Sequence, residues 1–185
     1  LSDKFGYTNK YVLFLGRLSH VKNIEFLISL WQQKFQDYSN LKLIVAGAGE
    51  DESKLKKLAE HCKKNSPIFL GEIPSILIPN LISSANLCVL CSYHEASPTI
   101  VKESLSSGIP VITNRIGDVD DFIKDNKNGI IVEKNIQCYY NGIISLLKAD
   151  MPKIDVLNAS IESLVKCNTS TISKSYLKLY YDLLE

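Results

Sequence analysis

Six short apolar runs, each bounded by turn-forming residues and each separated from the next by a stretch of helical periodicity, constrain this chain more than any other feature of its sequence. They cover residues 11–15, 41–46, 68–70, 87–90, 110–113 and 130–132. Several are apolar throughout instead of alternating, the pattern of strands covered on both faces. Between them, apolar residues recur three to four positions apart. Residues 23–35 carry Ile24, Leu27, Ile28 and Trp31 in this way, and residues 50–63 carry Leu55, Leu58 and Cys62 opposite a solvated row of lysines. Shorter helices are predicted over 75–83, 98–107, 118–124 and 137–147, with Gly108 and Pro110 stopping the second of these.

Strands alternating with helices predict an α/β domain, a Rossmann-like, doubly wound parallel sheet with helices on both faces. The 185 residues, 45% of them hydrophobic, suit one such unit with a sizeable core. Ligands in these sheets sit beyond the carboxyl ends of the strands where the strand order reverses, which in the Rossmann order lies between strands one and four. The loop after strand one reads Gly16-Arg17-Leu18-Ser19-His20-Val21-Lys22. The loop after strand four reads Ser92-Tyr93-His94-Glu95-Ala96-Ser97. Only two arginines occur in the chain, Arg17 and Arg115, and one of them stands in this first glycine turn.

Glu95 and Glu103 bracket the predicted start of the 98–107 helix. With Ser97 at the N-cap and Pro98 as the first helical residue, the N–H groups of Thr99 and Ile100 point outward without helical partners. An anion site between two carboxylates suits a phosphorylated sugar or nucleotide better than a metal or a nucleic acid. A net charge of +1 carries no footprint for nucleic acid, and no apolar run is long enough to span a membrane.

Five scattered cysteines fit a reducing cytoplasm. Cys88 and Cys91 form a C-x-x-C pair, but residues three apart on a strand point to opposite faces, so both are assigned to the core. Asp118-Val119-Asp120 has the spacing of a metal-binding D-x-D, yet it falls at a helix start, where the dipole favours acidic residues, and no metal is expected there. His20, His61 and His94 show no ligand spacing. The chain begins at Leu1 with no signal peptide, and is expected to be a piece of a longer protein.

Taken together, Phe14-Leu15-Gly16-Arg17-Leu18 with Lys22, the Ala46-Gly47-Ala48-Gly49 turn, the Phe69-Leu70-Gly71 strand end, the Glu95-to-Glu103 pair and Ser107-Gly108-Ile109-Pro110-Val111-Ile112 resemble the retaining glycosyltransferases of the GT-B fold, family 4. The resemblance runs from about Tyr11 to Val132 and weakens beyond. It implies one half of a GT-B fold, the C-terminal donor-binding domain. Residues 1–10 would be an inter-domain linker, 11–170 the nucleotide-sugar-binding domain, and 171–185 a C-terminal helix packing toward a missing N-terminal acceptor domain. The aromatic and apolar residues of that last stretch, among them Tyr176, Leu177 and Tyr180, agree with a second packing surface.

The same resemblance implies roles for residues. Arg17 and Lys22 would neutralise the donor diphosphate, one as a planar fork and the other as a point charge. Gly16 and Gly47 would line that site, and Ser97, Pro98, Thr99 and Ile100 would present the helix N-terminus to it. Glu103 would hold the ribose hydroxyls, Ile73 would mark the nucleobase region, and Glu95 would meet the transferred sugar, with a catalytic role discussed for it in relatives. No metal or other cofactor is implied. The expected partners are a nucleotide sugar, the acceptor domain and a glycan or lipid-linked acceptor. The expected location is the cytoplasm, at the inner face of a bacterial membrane with which the longer protein would associate peripherally, in O-antigen or capsule synthesis. Asp118 departs from the Gly-Gly turn usual in relatives, and Ala96 and Ser97 depart from a glycine and a bulky apolar residue. Two rivals remain at this stage: a nucleotide-binding module without catalysis, and a dehydrogenase, against which the missing G-x-G-x-x-G spacing argues.

Overall fold

The computed structural model describes residues 10–182. Six strands form one sheet: β1 (Lys10–Leu15), β2 (Leu41–Ala46), β3 (Ile68–Gly71), β4 (Leu87–Val89), β5 (Val111–Asn114) and β6 (Gly129–Val132). All pairings are parallel and the order is β3-β2-β1-β4-β5-β6, which puts the reversal of strand order between β1 and β4. The Rossmann-like fold expected from the sequence is present, with the reversal between the first and fourth strands.

The helices are α1 (Ile24–Lys34), α2 (Glu52–Ala59), α3 (Ile78–Ser84), α4 (Thr99–Ser106), α5 (Val119–Phe122), α6 (Ile136–Ala149), α7 (Lys153–Lys166) and α8 (Thr169–Asp182). Two apolar cores flank the sheet. On one side Leu27, Ile28 and Trp31 of α1, Leu55 of α2 and Tyr139 and Ile143 of α6 pack on Val12, Phe14, Leu43 and Val89. On the other, Ile82, Val101, Leu105, Phe122 and Val156, from α3, α4, α5 and α7, pack on Leu13, Cys88, Leu90 and Val111. Neighbouring strand residues thus feed opposite cores, the period-2 geometry that makes near-continuous apolar strands necessary.

Several boundaries differ from the sequence reading. The helix expected over 50–63 stops at Ala59, because the N–H groups of His61 and Cys62 donate to carbonyls three residues back and tighten the end of α2. The 75–83 prediction divides into a 3-10 turn at Ser75–Leu77 and α3, whose first turn accommodates Pro79. The 118–124 prediction contracts to the single turn of α5. α6 is capped by Asn135, whose side chain accepts from the Cys138 N–H at 2.8 Å. α7 had no counterpart in the sequence reading. Lys10, placed in the linker by sequence, begins β1, and its Nζ donates to Leu147 O and Asp150 Oδ1. The rest of that linker, 1–9, and residues 183–185 lie outside the described residues, as do the side chains of Tyr180 and Tyr181.

Candidate donor-binding cleft

Beyond the carboxyl end of β1 the chain makes two close approaches. The Gly16 N–H donates to Ala46 O at 3.0 Å, and Leu18 N–H to Ala48 O at 2.9 Å. Gly47 has φ +130, and a Cβ there would stand 1.9 Å from Gly16 O. No other residue fits, so the β1 and β2 turns interlock through this glycine.

The β1 and β4 loops are joined across the reversal point by several contacts, among them those of the Cys91 thiol with Lys22 O and Asn23 O. Tyr93 N–H donates to Val21 O at 2.8 Å, and Asn23 Nδ2 donates to Cys91 O at 3.2 Å from a left-handed residue at φ 53. The His20 and Tyr93 rings stack with centroids 5.2 Å apart. Lys22 Nζ lies 2.5 Å from Glu95 Oε1, with side chains 25% and 14% exposed. Ser92 Oγ donates to the same carboxylate oxygen at 2.8 Å. Both bonds converge on Oε1 of Glu95.

Beneath Glu95 is a buried support. Ser92 O accepts from Asn114 Nδ2 at 3.2 Å, and the Tyr139 hydroxyl lies 3.0 Å from Asn114 Oδ1 and 2.7 Å from Leu90 O. Burial holds the Tyr139 phenol well above its usual pKa, so it stays a neutral donor. Asn114, on β5, and Tyr139, on α6, were not found from the sequence. Their only signal was a polar group inside an apolar stretch, and nothing local says which distant loop it serves.

The start of α4 differs by one residue from the expectation. Pro98, with ψ 111, is the N-cap and Thr99 the first helical residue, so Ser97 is not the cap. The Ser97 hydroxyl donates instead to Asp118 Oδ2 and also contacts Lys102 Nζ. No side chain caps α4, and the first-turn N–H groups of Thr99 and Ile100 have no intrahelical acceptor. Neither N–H is taken up by a capping side chain. Gly117 fixes the loop behind them: at φ +53, a Cβ there would stand 2.5 Å from Ala96 O and 2.7 Å from Glu95 O.

Arg17 is held loosely. Its side chain is 74% exposed and its Nε reaches Glu50 Oε2 at 3.3 Å. The Glu50 carboxyl sits below its usual pKa, first because of its own backbone N–H and then because of the nearby guanidinium. Glu103 is exposed, and none of the bonds to its carbonyl, from Ser106 and Ser107, involves its carboxylate. Ile73 is half-buried at the edge of the second core, just after β3. The structure therefore brings Lys22 and Glu95 into contact, holds Arg17 in an exposed pair with Glu50, and leaves the Glu103 side chain exposed.

Asp118 and Asp120 are engaged separately, Asp118 with Ser97 and Lys102 and Asp120 with Arg115. Cys88 and Cys91 are buried in opposite cores, and burial pushes both thiols up to about 12. A groove of about 410 Å³ adjoins the cleft between α1 and α2, lined by Ser19, His20, Glu25, Asp51, Tyr93 and Lys134 among others. It contains no residue of the predicted site. No helix among the described residues is long and apolar enough to cross a membrane.

At the reversal of strand order, the β1 loop carrying Lys22 meets the β4 loop carrying Glu95, just ahead of the uncapped start of α4. The chain belongs to the glycosyl transferases group 1 family, whose model matches residues 3–162. It is 29% identical over 174 residues, 92% of its own length, to an uncharacterized glycosyltransferase of Methanocaldococcus jannaschii, of which it covers 44%. It is 31% identical over 141 residues, 71% of its length, to the Campylobacter jejuni GalNAc-alpha-(1->4)-GalNAc-alpha-(1->3)-diNAcBac-PP-undecaprenol alpha-1,4-N-acetyl-D-galactosaminyltransferase, of which it covers 38%. Among solved structures it is similar to TarM, with a TM-score of 0.80 and 26% identity over 94% of this chain and 35% of that one. A Staphylococcus aureus TarM mutant, similar at a TM-score of 0.78 and 23% identity over 94% of this chain and 36% of that one, was crystallised in complex with fondaparinux, alpha-GlcNAc-glycerol and UDP. The chain spans less than half the length of each of these relatives.

Proposed function

We propose that this chain is the donor-binding half of a retaining GT-B glycosyltransferase that moves a sugar from a nucleotide diphosphate, a UDP-sugar above all, to a glycan or lipid-linked acceptor. The observation that carries this reading is the convergence at the strand-order reversal of the Lys22–Glu95 pair, the Arg17 loop and the uncapped start of α4. The UDP in the TarM complex supports the choice of nucleotide.

In this reading the barrier falls chiefly through stabilisation of the departing diphosphate. Arg17, Lys22 and the N–H groups of Thr99 and Ile100 supply the positive potential, so the proposal needs no divalent metal. Glu103 holds the ribose, Ile73 borders the base, and Glu95 presents Oε2 to hydroxyls of the transferred sugar. Acceptor groups belong to another part of a longer protein. The exposure of Ile172, Tyr176 and Leu177 on α8 supports its packing toward that part. Envelope polysaccharide synthesis at the cytoplasmic face of a bacterial inner membrane is the setting we propose.

The test is titration of UDP and UDP-sugars into the chain and its Arg17→Ala and Glu103→Ala variants. Each substitution is expected to weaken UDP binding by about 10-fold, while the chain alone transfers no sugar to added acceptors. Unchanged affinity in both variants would sink the assignment.

A further inference from the structure

Lys102 is the fourth residue of α4. Long helical side chains lean toward the helix N-terminus, and this one does so until its Nζ contacts Ser97 Oγ and lies 3.2 Å from Asp118 Oδ2. The ammonium also stands 4.7 Å from the centroid of the Phe122 ring. Its cation therefore sits at the same end of α4 as the open N–H groups of Thr99 and Ile100, within a side chain only 22% exposed. The sequence reading counted Arg17 and Lys22 and gave this third charge no role.

Asp118 is unevenly satisfied. Oδ2 receives both Ser97 and Lys102, whereas Oδ1 is buried and has no hydrogen-bond partner. The carboxylate stands at the rim of an anion site, where it offsets the charge of Lys102. A diphosphate carries more negative charge than one carboxylate, and lysine is a point charge on a flexible stem that can exchange one oxygen for another. Asp118 would keep its bond from Ser97 when Lys102 turns away.

Resting on the donor reading above, we propose that Lys102 is a third diphosphate-binding cation of this cleft, held beside the start of α4 by Asp118 in the empty state. Asp118 then sets how tightly the leaving group is gripped, a control that a glycine at this position would not exercise.

Isothermal titration of the chain with UDP and with uridine tests this, alongside melting curves for every variant. Lys102→Met keeps the stem over Phe122 and removes the charge. UDP affinity is expected to fall roughly 10-fold while uridine binding stays the same. Asp118→Asn removes the competing charge, and UDP affinity is expected to rise by about 3-fold. The gain should vanish in the Lys102→Met, Asp118→Asn double variant. UDP affinity unchanged in Lys102→Met, with UDP bound by the unaltered chain, overturns this inference alone. A loss of UDP affinity in Asp118→Asn equal to that in Lys102→Met also overturns it, since the pair would then be a lock on the loop instead of a source of charge. No UDP binding by the unaltered chain overturns the donor reading together with this inference.

Discussion

Arg17 and Lys22 come from the same loop, five positions apart, yet the structure treats them as different kinds of group. Lys22 is three-quarters buried and bonded to Glu95, a carboxylate that is itself braced by Ser92 and, through it, by Asn114 and Tyr139. Arg17 extends into solvent with one long contact to Glu50. One cation is part of the architecture that joins the two loops, and the other is free to follow a ligand. In the donor reading, Lys22 sets where the diphosphate ends and Arg17 closes on what arrives.

The strongest test of that contrast is Lys22→Ala. It strips a partly buried carboxylate of its counter-ion, so stability should fall by about 2 kcal/mol in denaturant unfolding, and UDP affinity by about 100-fold. Arg17→Ala should show a smaller and purely functional effect, the 10-fold loss of UDP affinity with an unchanged unfolding midpoint, because an exposed pair contributes little to stability. Equal unfolding midpoints for the two variants would erase the distinction. The smallest expected effect belongs to Glu50→Gln. Releasing Arg17 from its exposed partner should raise UDP affinity by about 2-fold at low ionic strength, and the gain should fade as salt is added.

The strands were legible because each is a short apolar run with turn residues at both ends, and the position of the candidate site was legible because its loops follow the two strands between which the order reverses. α7 was not. It buries Val156, Ser160 and Ser163 and exposes Ile154, Ile161 and Val165. Ser160 is held by Asn128 Nδ2 at 2.9 Å and donates to Val156 O, so small hydroxyls occupy the inner face where a periodicity argument looks for leucine. The one-residue error at α4 has a similar origin. Serine before proline is a sound N-cap by local chemistry, but Asp118, distant in sequence, and Lys102, in the first turn of α4, claim its hydroxyl. Pairings across loops of this kind leave no periodic trace.

The two thiols of β4 and its loop have a practical meaning for work on this chain. Thiolate is the reactive form of cysteine, and burial keeps Cys88 and Cys91 protonated to about pH 12 on opposite sides of the sheet. Maleimide or iodoacetamide probes applied to the folded protein are thereby directed to Cys138 on α6 and Cys167 at the end of α7, both partly exposed. The native sequence thus offers two attachment points for spectroscopic reporters, one on a helix of each side of the sheet.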